Sequence, residues 1–336
     1  MKQSAVSEPV SANRSSSKQR LRDSMSSLGM LPVLLIVSVV LFQLENSRFL
    51  AGENVLNILQ QAIYLILISI GQMLVLVSGG FDLSVGATVA LTSVVSSTVM
   101  VKLGVIMPDS PNIAAFAGFG STIGVGLVVG LANGIGVSFM RVNPFIVTLA
   151  TSSVIQGLTL LISQGSEVGP LPDSFVSFVG SGMAAGIPIA ALLALPVIGV
   201  VYLLVDWARY GRNLFAIGSN PKAAFVSGVR VNVSLTGTYV LCSLLTAISS
   251  FMLTARVSSG QPLLGAEFPL SSITAAVIGG CSLKGGQGGL VGTILGALFV
   301  TMLSNGMDLV RLGSNYQMII LGIVLVVAVL IDRNRR

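Results

Sequence analysis

The residues that could do chemistry in this chain are few, and most of them are neutral. Asp82 lies in Gly79-Gly80-Phe81-Asp82-Leu83-Ser84-Val85-Gly86, with apolar sequence on both sides. A carboxylate at mid-bilayer costs about 2.5–3.5 kcal/mol on insertion scales, so Asp82 must be capped or must reach water. Asp82 and Ser84 are good N-cap types for a following helix, and the glycines permit the turn before it. Capping a helix break and lining a polar pathway are both open readings of this motif. A phosphate loop is a poor one, because no Gly-Lys-Ser/Thr ending is present. The other polar groups within apolar stretches include Gln72, Asn133, Asn143, Thr148 and Asn305. With Asp82, Ser84 and Ser282 they are the pathway or gating candidates. Amides and hydroxyls exchange hydrogen bonds without charge compensation, which suits a neutral, hydroxyl-rich solute better than an ion.

Several activities fall away at once. The chain has no His, which removes His-dependent triads and most zinc hydrolase sites. Its two cysteines, Cys242 and Cys281, sit in apolar sequence and read as buried small hydrophobes, not metal ligands. No set of convergent acids and bases suggests catalysis. The net charge of +6 is not organised as a basic patch interleaved with aromatics, so nucleic acid is not an expected partner.

The elements that hold these residues must be membrane helices. Of 336 residues, 53% are hydrophobic and only 9% are charged, against about 25% charged in soluble domains. A crossing needs about 20 apolar residues. Such stretches occur at about 28–44, 56–78, 87–107, 113–139, 145–163, 185–205, 232–255, 268–282, 288–304 and 316–331. The sequence therefore predicts an all-α integral membrane protein of about ten transmembrane helices. Helices should be short or broken near the Gly-rich motifs, the eighth above all, beside Gly279-Gly280-Cys281-Ser282-Leu283-Lys284-Gly285-Gly286. Gly-rich runs such as Gly124-Val125-Gly126 favour close helix packing.

Residues 1–27 read as a disordered tail, 28–332 as one membrane domain and 333–336 as a short C-terminus. Twelve of the 18 Lys and Arg fall in three places: the tail, segment 206–230 and the C-terminus. Even numbers of spans separate them, so all three are expected on the cytoplasmic side, with both termini cytoplasmic. Within 206–230, Asn220-Pro221 is a helix-start signal, and Ala223, Ala224, Phe225 and Val226 then make a short helix that Gly228 can end. Such a helix could dock in a groove on a soluble partner or lie on the membrane surface.

Five stretches then occur in one order. They are Gly79–Gly86, Asn133-Gly134, Asn143–Leu149, Gly211–Pro221 and Ala276–Leu283. Together they make the chain resemble permeases of the ribose/xylose/galactoside branch of bacterial ABC importers, from about residue 30 to residue 332. The resemblance implies an inner-membrane subunit that pairs with a second permease chain, identical or paralogous. It also implies a periplasmic sugar-binding protein and separate cytoplasmic ATPases that hold ATP and Mg; this chain has no cofactor. Coupling to the ATPase is implied for a Glu-Ala-Ala-type segment, carried here by Arg212, Asn213, Gly218, Asn220, Pro221, Ala223, Ala224 and Gly228. Lys222 stands where that pattern has Glu. The expected function is import of a neutral monosaccharide or similar polyol by alternating access. An ion-coupled secondary sugar transporter is the alternative from a different class.

Overall fold

A computed structural model describes residues 31–334. The expected tail 1–27 and the last two residues lie outside the described residues. The helices follow in order as α1 (Leu31–Glu45), α2 (Gly52–Val77), α3 (Val85–Ile106), α4 (Pro111–Ser138) and α5 (Pro144–Ser163). A short α6 (Asp173–Phe175) runs on into a π-helical turn, Val176–Gly180. Two-residue strands β1 (Met183–Ala184) and β2 (Ile187–Pro188) pair antiparallel. Then come α7 (Ile189–Tyr202), with its own π-helical extension Leu203–Trp207, α8 (Arg209–Ser219) and α9 (Pro221–Val226). The chain ends with α10 (Val231–Val257), α11 (Phe268–Ile278), α12 (Leu290–Leu309) and α13 (Ser314–Asn334).

Seven of these, counting α7 with its extension, are long and apolar enough to cross a membrane; α1, α11 and Ser314–Leu330 are shorter apolar helices. Among the described residues, each of the ten stretches expected from hydropathy thus holds a helix. The eighth is shorter than expected: α11 stops at Ile278, and 279–289 form a glycine-rich loop. From Ala62 to Val77 every residue of α2 is buried, so α2 is the central post, whereas α5 buries only Thr148, Ile155, Thr159 and Ser163 and lies at the periphery.

Between α4 and α10 the packing is set by small side chains. Gly118, Thr122, Gly126, Gly130, Gly134 and Ser138 recur every four residues on one face of α4, and all are buried. In lipid, close backbone approach replaces the hydrophobic drive that holds soluble helices together. A Cβ on Gly130 would lie 2.5 Å from the Val240 Cα, and one on Gly134 would lie 2.8 Å from the Thr236 Cα. Gly130→Leu must therefore part α4 from α10, an overpacking cost of about 3 kcal/mol. The expected result is loss of the monodisperse peak in fluorescence-detected size exclusion, with Gly124→Leu, where nothing lies within 4 Å, as the tolerated control.

Two breaks shape the interior. The first is residues 78–84, between α2 and α3. Asn133 and Tyr239 contact this break from two turns inside the ends of α4 and α10, so it lies below the helix ends and not at them. The second is residues 258–267, a run of turns that passes from the end of α10 along α3 to the start of α11. Gly260 lies against Ser97, and Gly265 lies against Val89 and Gly86. Non-helical backbone packed among membrane helices needs protein partners. They are present: Gln261 N donates to Ser93 Oγ at 3.2 Å, and Gly260 exchanges backbone bonds of 2.8 and 2.9 Å with Val168.

Candidate functional site

The 206–230 segment is built as a two-helix bracket at one end of the molecule. α8 buries Gly211, Leu214 and Ile217 on one face and leaves Arg212 exposed, where its guanidinium donates to the Trp207 carbonyl at 3.1 Å. Asn213 is half-buried. Tyr210 shares a 2.8 Å hydrogen bond with Thr238 of α10, and burial pushes its phenol up to about 12. α9 is stopped at both ends by its own residues. The Asn220 side chain accepts from Lys222 N at 3.1 Å and Ala223 N at 3.0 Å, with Pro221 in the first helical position. At the other end Gly228 has φ +84, Gly228 N donates to the Phe225 carbonyl and Val229 N donates to the Ala224 carbonyl, both at 3.0 Å. That pair of bonds with a left-handed residue is a Schellman stop.

Only Ala224 of α9 is buried. Phe225 and Val226 are 71% and 86% exposed, and Lys222 and Ala223 face outward too. Apolar side chains held this far out on a rigid helix form a knob. Ala223, Ala224 and Gly228 are among the coupling candidates expected from sequence, and Phe225 and Val226 are not. Their signal was available: an aromatic and a β-branched residue together in an otherwise polar connection. Ala224 is the residue that anchors the helix to the rest of the protomer.

The bracket meets the first break and the glycine-rich loop 279–289 at one junction. Gly286 N donates to the Val77 carbonyl at the end of α2 at 2.8 Å. Gly218 fits against that same carbonyl and against Gly286 N, and no Cβ has room there. Gly285 lies against Gly79. The loops 79–84 and 279–289 and the 206–230 segment therefore share one end of the molecule, whereas 164–184 and the start of 258–267 share the other. Gly218→Ala should displace α8 from this junction and lower the apparent melting temperature in detergent by several degrees. An unchanged midpoint would show that α8 is not seated there.

Above the junction lies a buried polar cluster. Asp82 is 1% exposed; its Oδ1 accepts from Ser84 N at 2.8 Å and Ser84 Oγ at 2.6 Å. Asn133 Nδ2 donates to Ser84 Oγ at 2.8 Å, and Cys242 and Asn133 flank the same carboxyl group. Asp82 Oδ2, Asn133 Oδ1 and both polar atoms of Gln72 have no hydrogen-bond partner among the described residues. Ser84 occupies the N-cap position of α3 but does not cap it with its side chain, which is given to Asp82.

The remaining candidates do not join this cluster. Asn143 caps α5 by accepting from Phe145 N at 2.9 Å, and Thr148 bonds back to the Pro144 carbonyl at 2.9 Å. Ser282 holds the glycine loop, accepting from Lys284 N on its hydroxyl. Asn305 pairs reciprocally with Asn54, at 2.9 and 3.0 Å, near the far end of the molecule.

A groove of about 380 Å³ opens on the outer face beside the second break. Gly86 and Ala87 of α3, Ser152, Ser153 and Gln156 of α5, and Leu264 line it. No lining side chain is charged. Gln156 Nε2 donates to the Pro262 carbonyl at 3.0 Å and so ties residues 258–267 to α5. None of these groove residues was among the sequence candidates: α3 and α5 pack on each other through Ala87 and Ile155, and the 258–267 path completes the wall, neither of which a local pattern records.

Residues 54–329 match the family model described as the branched-chain amino acid transport system / permease component. The chain is 37% identical over 309 residues to the ribose import permease protein RbsC of Bacillus subtilis, covering 92% of each chain. It is 31% identical to the D-allose transport system permease protein AlsC of Escherichia coli, covering 90% of each. The galactose/methyl galactoside import permease protein MglC of Escherichia coli is 30% identical over 89% of this chain and 91% of its own. No solved structure matches the chain.

Proposed function

Since the chain belongs to the permease-component family whose model spans residues 54–329, we propose that it is the membrane subunit of an ATP-driven importer for a neutral monosaccharide. The family and the sugar-permease relatives support the class, and the knob of α9 supports the means of coupling. ATP hydrolysis and its Mg belong to a separate cytoplasmic ATPase. A periplasmic sugar-binding protein delivers the solute, and a second permease chain completes the pathway in the inner membrane. The bracket end, with 206–230, faces the cytoplasm, as the clustering of basic residues indicates. The ion-coupled alternative draws no support from these relatives.

The observation that carries the pathway assignment is the uncharged groove of Gly86, Ser152, Ser153 and Gln156 on an outer face of the protomer. Hydroxyl and amide groups on such a wall can exchange hydrogen bonds with a sugar as it passes between two permease chains. In alternating access, closure of the ATPases carries α9 and α8 with it. Their seat at the end of α2 and on the 279–289 loop transmits the movement to the two breaks.

The test uses Ser153→Cys, because both native cysteines, Cys242 and Cys281, are fully buried. A membrane-impermeant thiol reagent applied to this variant in the assembled importer should abolish uptake, with the wild type unaffected. Retention of full uptake after complete labelling of Cys at 153 would place the pathway elsewhere.

A further inference from the structure

Charge around the α9 knob is of one sign. Lys222 lies three and four residues before Phe225 and Val226, the spacing that puts side chains on one face of a helix, and all three are exposed. Arg230 is exposed where α9 gives way to α10. Lys284 is exposed in the glycine-rich loop, whose Gly286 lies against Ser219 at the end of α8. Lys222 and Lys284 are each within three residues of that contact. α8 adds Arg209 and Arg212, both exposed. A 2.8 Å bond between Ser138 and Thr236 brings the α4–α5 connection, with exposed Arg141, to this same end. Against these cations, Asp206 is the one exposed acid here among the described residues, since Asp82 is buried. Both chain termini are net basic in sequence and do not offset the sign.

Basic residues at a cytoplasmic end also suit lipid headgroups, but the seat of the bracket takes these charges away from lipid. α2 has 26 residues, about 39 Å at 1.5 Å per residue, against a hydrocarbon core of about 30 Å. It is buried from Ala62 to Val77, so its end lies over the middle of the bundle. Gly218 and Gly286 both meet the Val77 carbonyl at that end. α9 starts three residues after Gly218, which sets Lys222 and the knob over protein and not at the lipid margin. Whatever meets them arrives from solution. An apolar projection ringed by cations fits a seat that is apolar at its centre and acidic at its edge.

We propose that the ATPase surface receiving α9 is edged with aspartate and glutamate, and that the cations around the knob steer it onto the permease. The proposal rests on the importer reading and adds the charge of the partner's seat. Exposed charges contribute little affinity singly, but their summed field raises the rate of encounter by about tenfold or more. That field is screened by salt, over a length of about 10 Å at 0.1 M. The cations therefore act on association, whereas dissociation is governed by the apolar contacts of Phe225 and Val226.

The test measures association of the full-length permease with the ATPase subunit that co-purifies with it from its host. The permease sits in phosphatidylcholine nanodiscs, which carry no anionic headgroup. The wild-type association rate should fall about tenfold between about 50 and about 300 mM NaCl. A variant combining Lys222→Gln, Arg230→Gln and Lys284→Gln should associate about fivefold more slowly at the lower salt and fall only about twofold with salt. Its dissociation rate should stay close to that of the wild type, and its size-exclusion profile should be unchanged because all three side chains are exposed. A wild-type rate indifferent to salt, or a triple variant as fast as the wild type, would overturn the charge assignment and leave the importer reading standing. So would a triple variant that is slow only in discs containing phosphatidylglycerol, which would assign the cations to lipid. The absence of any co-purifying ATPase would overturn the importer reading together with this one.

Discussion

Replacing Phe225 and Val226 together by aspartate is expected to lower ATP-driven uptake about 100-fold while leaving the permease folded. Both side chains project from a helix of six residues whose only buried member is Ala224, so removing them costs the protomer little packing. An exposed aromatic on a rigid platform is the type of residue that dominates protein interfaces, where truncation costs about 2–4 kcal/mol. At 1.4 kcal/mol per decade, the middle of that range is about a hundredfold. Two charges in an apolar seat add a desolvation cost in the same direction. The readout is co-purification of the ATPase and uptake, with size-exclusion profile as the folding control. Lys222→Ala should change uptake less than about threefold, since an exposed charge contributes little. Asn220→Ala should fall between the two, because it removes the cap, worth about 1 kcal/mol, and leaves the knob in place. Normal uptake in the double aspartate variant would mean that α9 is not the contact.

The second large effect is at Asp82. Asp82→Ala takes the acceptor from both Ser84 N and Ser84 Oγ in a site fully closed to water. Leaving buried donors without partners costs about 1–3 kcal/mol each, so a loss of about 3 kcal/mol is expected. A collapsed yield, or a large drop in apparent melting temperature, should follow. Asp82→Asn keeps a carbonyl oxygen where Oδ1 now sits, and its stability should stay within about 1 kcal/mol of the wild type. That variant separates two roles. If Asp82 only holds the break, uptake by Asp82→Asn stays near normal; if the second carboxyl oxygen serves the pathway, uptake falls while the midpoint holds. A fully stable Asp82→Ala would contradict the structural role outright.

The helices were legible because each needs only a run of apolar residues long enough for a bilayer. α9 was legible because every signal that stops it is local: Asn220, Pro221 and Gly228 act within two residues of the helix ends. The path of 258–267 was not legible. Its backbone is satisfied by Ser93 of α3 and by Val168, residues 168 and 92 positions away from Gln261 and Gly260 respectively, and no local pattern records that. For the same reason the groove residues Ser152, Ser153 and Gln156 drew no attention as a site. The neutral polar candidates split along a similar line. Residue type alone could not tell Asn133, which reaches a buried carboxylate cluster, from Asn143, which caps its own helix, or Asn305, which pairs with Asn54.

The most direct test of the whole account is uptake of radiolabelled ribose, allose and galactose into proteoliposomes. The vesicles carry this permease with its ATPase, and the binding protein is added outside. The account requires that at least one sugar accumulates only when all three proteins and ATP with Mg are present, and that an ionophore leaves the rate unchanged. Accumulation by the permease alone, driven by a proton or sodium gradient and abolished by ionophore, would contradict it.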